Sequence, residues 1–145
     1  MLDEETKALK GSPHRDQCKF IHKQLGNPYY CLDLDLVFIE KYPPGIAAFL
    51  DYKKPWEVLT FTEVIAYNDL REKAPVFICH TEDAATWQFV IYEFMGGDHL
   101  PHPPVSHLRS VATVTSQDAW RTWEQQVRAE YRARARTKKT MERVG

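Results

Sequence analysis

The sequence predicts a single α/β domain: a central mixed β-sheet, made of an antiparallel hairpin plus helix-connected strands, flanked by helices and ending in a C-terminal basic helix. Three observations predict it. Apolar residues alternate on either side of a Pro-rich turn, which is a hairpin pattern. A helix-capping signature separates that hairpin from a short, continuous apolar run, so a helical crossover leads to a further strand. Aromatic and apolar residues then recur at helical spacing near the C-terminal end. With 145 residues, 43% of them hydrophobic and 12% aromatic, the chain has the length and apolar content for a packed core.

The elements follow in order. Residues 1–13 read as a flexible tail ending in Ser12-Pro13, residues 14–127 as the α/β domain, and residues 128–145 as the basic helix end and tail. From His14 to Leu25, Cys18, Ile21 and Leu25 recur at spacings of three and four, so a helix is predicted, stopped by Gly26-Asn27-Pro28. Tyr29 to Glu40 alternates: Leu32, Leu34 and Leu36 share one face, Asp33, Asp35 and Val37 the other. Lys41 to Gly45 is a turn, and Ile46 to Lys53 the returning strand. Thr60 with Glu63 three residues later is a capping box, opening a helix that ends before Pro75. Val76–His80 is a buried-strand run and Trp87–Phe94 another strand. Met95 to His107, with Gly96-Gly97 and three prolines, reads as irregular. Ser116 caps a last helix carrying Trp120, Trp123, Val127 and Tyr131 on one stripe, read as core or dimer interface.

Charge and cysteine usage narrow the setting. Net charge is −1, yet from Arg128 onward seven basic residues face only Glu130 and Glu142, so this end carries +5 and the remainder −6. A basic end on an acidic body suits a polyanion, and Arg128, Arg132, Arg134, Arg136, Lys138 and Lys139 are the candidate nucleic-acid contacts. Cations also favour a helix C-terminus through the macrodipole, a purely structural reason for the same residues. Cys18, Cys31 and Cys79 are odd in number and irregularly spaced, which argues for reduced thiols and a cytoplasmic setting. No apolar run approaches a membrane span, so no membrane partner is expected. Histidines and cysteines do not form the short-spaced pairs of structural zinc sites.

The hairpin raises the chemical question, because Asp is depleted in strands. A turn centred on Pro43 sets Asp35 opposite Asp51 and Asp33 opposite Lys53. Opposed residues share a face, as do Asp51 and Lys53, two apart. The four polar groups then project from one patch, unless a slip or bulge intervenes. Close carboxylates repel unless a cation lies between them, and hard oxygen ligands suit Mg²⁺ or Mn²⁺. Such a cation, with a lysine beside it, makes a phosphodiester-hydrolysis centre.

In these residues the chain resembles the PD-(D/E)XK nuclease superfamily, the restriction-endonuclease-like fold. "LDLDLVFIE" followed by "AAFLDYKK" fits its pattern, with Asp35 and Asp51 sixteen positions apart. The stretch continuing to "VFICHT" looks closest to the VRR-NUC and RecB-like domains, and the likeness covers about residues 15–95 in order of elements. The resemblance implies Mg²⁺-dependent hydrolysis of DNA. Asp35 and Asp51 would hold the metal with the backbone carbonyl of Tyr52, Asp33 being the alternative to Asp35. Lys53 would position the attacking water. Glu63 and Tyr67 sit where those domains often carry Gln and Tyr; Glu63 is a weaker candidate, since the capping box already explains it. Asp16 is a weak candidate for an acid lent by the first helix, and Lys54 is set on the other strand face by parity. The resemblance further implies a possible homodimer, and action on junctions or flaps in recombination, repair or phage DNA processing. The alternative is a non-catalytic nucleic-acid-binding or protein-interaction module on the same fold.

Overall fold

The computed structural model describes residues 13–25, 31–83, 85–100 and 103–144; the predicted tail, apart from Pro13, and the predicted stop at Gly26-Asn27-Pro28 lie outside them. Packing divides the chain into two units that part between Asp33 and Leu34. The first contains helix α1 (Pro13–Gln24). The second holds strands β1 (Leu36–Glu40) and β2 (Gly45–Lys53), helix α2 (Phe61–Leu70), strands β3 (Val76–His80), β4 (Phe89–Asp98) and β5 (Val105–Val114), and helix α3 (Gln117–Val144). These are an α/β arrangement of three helices and one five-stranded mixed sheet among the described residues. Strand order follows the chain, β1-β2-β3-β4-β5. Only β2 and β3 pair in parallel, joined through α2 as a parallel pair requires. Among the described residues no helix is long and apolar enough to cross a membrane.

The hairpin forms in the register set by a turn at Pro43. Leu36 opposes Leu50, Val37 opposes Phe49, and Phe38 opposes Ala48. A bulge after Phe38 then shifts the pairing, so that Ile39 opposes Ile46. Strand β1 is shorter than the alternation suggests. It starts at Leu36, so Cys31 and Asp33 stand ahead of it, and Tyr29 and Tyr30 lie outside the described residues.

A fifth strand occupies part of the stretch read as irregular. β4 runs on to Asp98 and β5 begins at Val105. Gly96 and Gly97 break the register of β4 without ending it. Gly96 has φ +115°, a conformation that side chains rarely adopt. Gly97 lies so close to the Val105 carbonyl that a Cβ would collide with it. Asn68 of α2 then ties the bulge down, donating to the Gly97 carbonyl at 2.9 Å and accepting its N–H at 3.3 Å. The glycines that signal a loop serve here as a strand kink.

Alternation assigns the two faces of the sheet. Ala48, Leu50, Phe77, Cys79, Phe89, Ile91 and Val114 face α3, where Trp123, Val127 and Tyr131 complete the core. Trp123 packs edge-to-face on Phe77, with ring centroids 5.1 Å apart. The aromatic stripe is therefore core. α3 starts as expected, with Ser116 Oγ accepting the Ala119 N–H at 3.1 Å, and it crosses residue 127 without interruption. The opposite face carries Phe49, Asp51, Ile78 and Phe94, on which α2 places Val64 and Tyr67. Asp51 and Lys53 of the hairpin lie on that second face, whereas Glu40 turns to α3 and pairs with Arg128.

Candidate active site

Strand parity and helix capping together build one polar cluster beneath α2. On β2, Asp51 and Lys53 point under the helix while Tyr52 points away, 42% exposed against 3% for Asp51. On α2, Glu63 and Tyr67 are one turn apart and both buried. The capping box forms as read: Glu63 N–H donates to Thr60 Oγ1 at 3.2 Å, and Thr60 N–H donates to Glu63 Oε1 at 2.9 Å. That box uses one oxygen of Glu63. The other, Oε2, forms an ion pair with Lys53 Nζ and lies 3.4 Å from the Tyr67 hydroxyl, whose one proton goes to Asp51. Glu63 is both a helix cap and the partner of the lysine, so its structural reason does not exclude it from the cluster.

Asp35 enters from the strand's beginning. Its N–H donates to Asp51 Oδ1 at 2.8 Å, and its own Oδ2 accepts the Tyr52 N–H at 2.8 Å. Two carboxylate–amide bonds thus extend the β1–β2 pairing one step past Leu36. They explain why the strand is short: a side chain occupies the place of a backbone acceptor. Asp51 Oδ2 accepts the Tyr67 hydroxyl. Asp33 does not oppose Lys53 in the ladder, which begins only at Leu36. Its carboxylate pairs with Arg15 at 3.0 Å and with Lys19, whose hydrogen bond holds it below the usual carboxylate range. Of the two candidate first acids, Asp35 is the one bonded to Asp51.

Electrostatics separate Asp51 from Glu63. Burial pushes the Asp51 carboxyl up; the Tyr67 hydroxyl and the Asp35 N–H pull it down, while the charges of Asp35 and Glu63 add to the rise. For Glu63 burial also pushes upward, but Lys53 and the Thr60 N–H outweigh it and leave the carboxyl below its ordinary value. Tyr67 is raised by burial and by the carboxylate it serves, so it remains a hydroxyl donor. Among the described residues no three His, Cys, Asp or Glu side chains form a metal cage. A cation here would rest on Asp35 and Asp51, with the Tyr52 carbonyl and water. That sparse protein shell is one Mg²⁺ accepts, and the repulsion felt by Asp51 is what a divalent charge relieves.

Tyr67 joins this face from a position the resemblance singles out, and His80 joins it without a sequence signal. Tyr67 required the helix phase to place it over Asp51. His80 pairs with Lys53 in the parallel ladder, hence on the same face, and its ring lies 4.7 Å from that of Tyr92. Burial lowers its pKa, although Glu57 pulls the other way. Only the β2–β3 register reveals that neighbour. The wider metal reading of histidine and cysteine finds no cluster among the described residues, with His102 outside them. Cys79 is buried in the core, which drives its thiol up to about 12.

The basic residues of α3 divide into two groups. Arg128 donates to both oxygens of Glu40 at 3.1 Å, Arg132 reaches the same carboxylate at 3.3 Å, and Arg134 donates to the Ala47 carbonyl at 3.2 Å. These three fasten the helix to the hairpin. Arg136, Lys138 and Lys139 are exposed along the last turns. No protein-family model matches the chain, and no curated protein or solved structure does.

Proposed function

We propose that the protein is a metal-dependent nuclease that hydrolyses DNA phosphodiester bonds on a restriction-endonuclease-like fold. The observation that carries this reading is the joining of Asp35, Asp51, Lys53 and Glu63, from three separate segments, into one hydrogen-bonded cluster. A wet strand face would leave such groups in water; here Asp51 and Glu63 are buried, which costs free energy that a packed apolar residue would not. Polar groups held at that cost mark a functional site.

Asp35 and Asp51 would hold Mg²⁺ or Mn²⁺, together with the Tyr52 carbonyl. When bound, such a cation supplies Lewis-acid charge to a phosphate and lowers the pKa of water. Tyr67 fixes the orientation of Asp51 through its hydroxyl. Lys53 presents an ammonium that can donate to a phosphate oxygen or orient the attacking water. Glu63 holds that ammonium in place through the ion pair. Arg136, Lys138 and Lys139 suit salt-sensitive contact with the nucleic-acid backbone.

Incubation of the protein with labelled duplex, single-stranded, flap and four-way-junction DNA, in Mg²⁺, Mn²⁺ or EDTA, tests the reading. Asp51→Asn and Lys53→Ala variants, checked for folding, run in parallel. Metal-dependent cleavage that disappears in both variants is the expected result. Binding without cleavage would support instead a non-catalytic nucleic-acid-binding module.

A further inference from the structure

Across the sheet from the proposed catalytic cluster, on the face that carries α3, lies a cavity of about 350 Å³ with no role in the reading above. That volume is within the range of small-ligand pockets. Its walls are aromatic: Phe38, Tyr52, Trp87, Phe89 and Trp120, with Glu124 as the acid. Trp120 is the hub. It meets Phe38 at 6.4 Å, Phe89 at 5.6 Å and Trp87 at 6.3 Å between ring centroids, the three contacts edge-on. Tyr52 lines the same cavity without a ring contact among the described residues. Trp87 is 41% and Tyr52 42% exposed, so both keep ring surface for a guest.

We infer that this cavity receives an unpaired nucleobase of the substrate strand. The occupant's identity rests on the nuclease reading of the neighbouring cluster. Flat aromatic walls suit a π-stacked heterocycle, and stacking of this kind tolerates any base. Glu124 adds selectivity. One of its oxygens accepts the Trp120 indole N–H at 3.0 Å, and the other has no protein donor among the described residues. A carboxylate oxygen accepts from the exocyclic amine of a base such as cytosine, an amine that thymine lacks. The cavity and the cluster share strand β2. Tyr52 stands between Asp51 and Lys53 on β2, and its N–H bonds Asp35. The wall of the cavity and the reacting phosphate's cradle are thus one residue apart, on opposite faces at the same end of the strand. A base can turn its faces to such a cavity only from a strand that is single or locally unpaired. The substrate class is therefore single-stranded, flap or junction nucleic acid rather than intact duplex.

The test uses the full chain in EDTA and again in Ca²⁺, titrated with short single-stranded DNA and RNA oligonucleotides and followed by tryptophan fluorescence and anisotropy. One abasic residue is walked along the strand. At one position it should weaken binding about 5- to 150-fold, the loss that corresponds to one stacked base. Trp87→Ala should weaken the intact strand to a similar extent and Trp87→Phe should restore it. Glu124→Gln should reduce the preference for amino-bearing bases over thymine. Binding indifferent to both the abasic residue and Trp87→Ala overturns the pocket, as does tryptophan quenching by a quaternary ammonium ligand in place of oligonucleotides. Cleavage of the same oligonucleotides in parallel samples with Mg²⁺ replacing EDTA or Ca²⁺ separates the two readings. Cleavage without base sensitivity leaves the nuclease standing and removes the pocket; base-sensitive binding without cleavage does the reverse.

Discussion

Asp51 is a buried acid that other acids crowd. Its carboxyl is buried and has acids on two sides, so its folded-state pKa lies above the ordinary 3.8. A raised pKa means the folded state holds the proton more tightly than the unfolded one. Ionised Asp51 therefore costs stability above its folded pKa, and the cost is relieved as pH falls through that value toward 3.8. Asp51→Asn should melt higher than wild type at neutral pH without metal, the gap closing in acid, while cleavage disappears. Parallel thermal melts across pH would show this; a lower melting temperature for the variant at neutral pH would count against it. Glu63 behaves oppositely. Its lowered pKa contributes stability above the ordinary 4.5 that is lost as pH falls through the folded value.

Lys53 holds the balance between those acids. Its side chain is 16% exposed and that of Glu63 7%, so the pair is largely out of water. Removing one partner of a buried pair leaves an uncompensated charge, which typically costs about 3–5 kcal/mol. Lys53→Ala should approach the lower end of that range because the pair keeps some water contact. Lys53→Ala with Glu63→Gln should recover most of that stability in denaturant melts, yet neither variant should cleave DNA. If the double variant is as unstable as the single, the charge argument fails.

At the scale of elements, two helices have different tasks on opposite faces. α2 is short and covers the acids; its Thr60–Glu63 box both starts the helix and anchors the lysine partner. α3 is long and closes the core. Trp123, 7% exposed, contacts Phe77, Phe38 and Trp120. Trp123→Ala should therefore cost about 3–5 kcal/mol in chemical denaturation, as deletion of a buried aromatic does. A loss below about 1 kcal/mol would mean the helix is not fastened by that ring. β4 and β5 show the opposite use of sequence. Their junction holds a positive-φ glycine and a second glycine against a backbone carbonyl, and the strand survives because Asn68 supplies the missing bonds.

For the molecule as a whole, charge divides into fastening and reaching groups. Arg128, Arg132 and Arg134 are engaged by Glu40 and Ala47. Arg136, Lys138 and Lys139 remain exposed, and under the proposed nuclease function they are the groups that would meet a phosphate backbone. For every phosphate that the protein no longer neutralises, the slope of log affinity against log salt should fall by about 0.7–0.9. Replacing these three residues with Ala should weaken DNA binding at low salt and flatten that slope, with the melting temperature unchanged. An unaltered slope would assign DNA binding to another surface.

What the sequence determined by itself is what depends on near neighbours. Two-residue alternation put Asp51 and Lys53 on one face, the turn at Pro43 set Asp35 against Asp51, and Thr60 with Glu63 started α2 at its observed place. Helical spacing likewise put Trp123, Val127 and Tyr131 on one stripe. Tertiary structure decided what depends on distance along the chain. The fifth strand pairs with β4 across a glycine kink that local rules read as a loop, and Asn68 of α2 bonds that kink. Asp33 is claimed by Arg15 and Lys19, Glu63 by Lys53, and His80 comes beside Lys53 only through the parallel register. Local periodicity fixes which way a side chain points. Whether a charge then meets water, a partner or another acid depends on which segment packs over it, and that is a property of the folded chain alone.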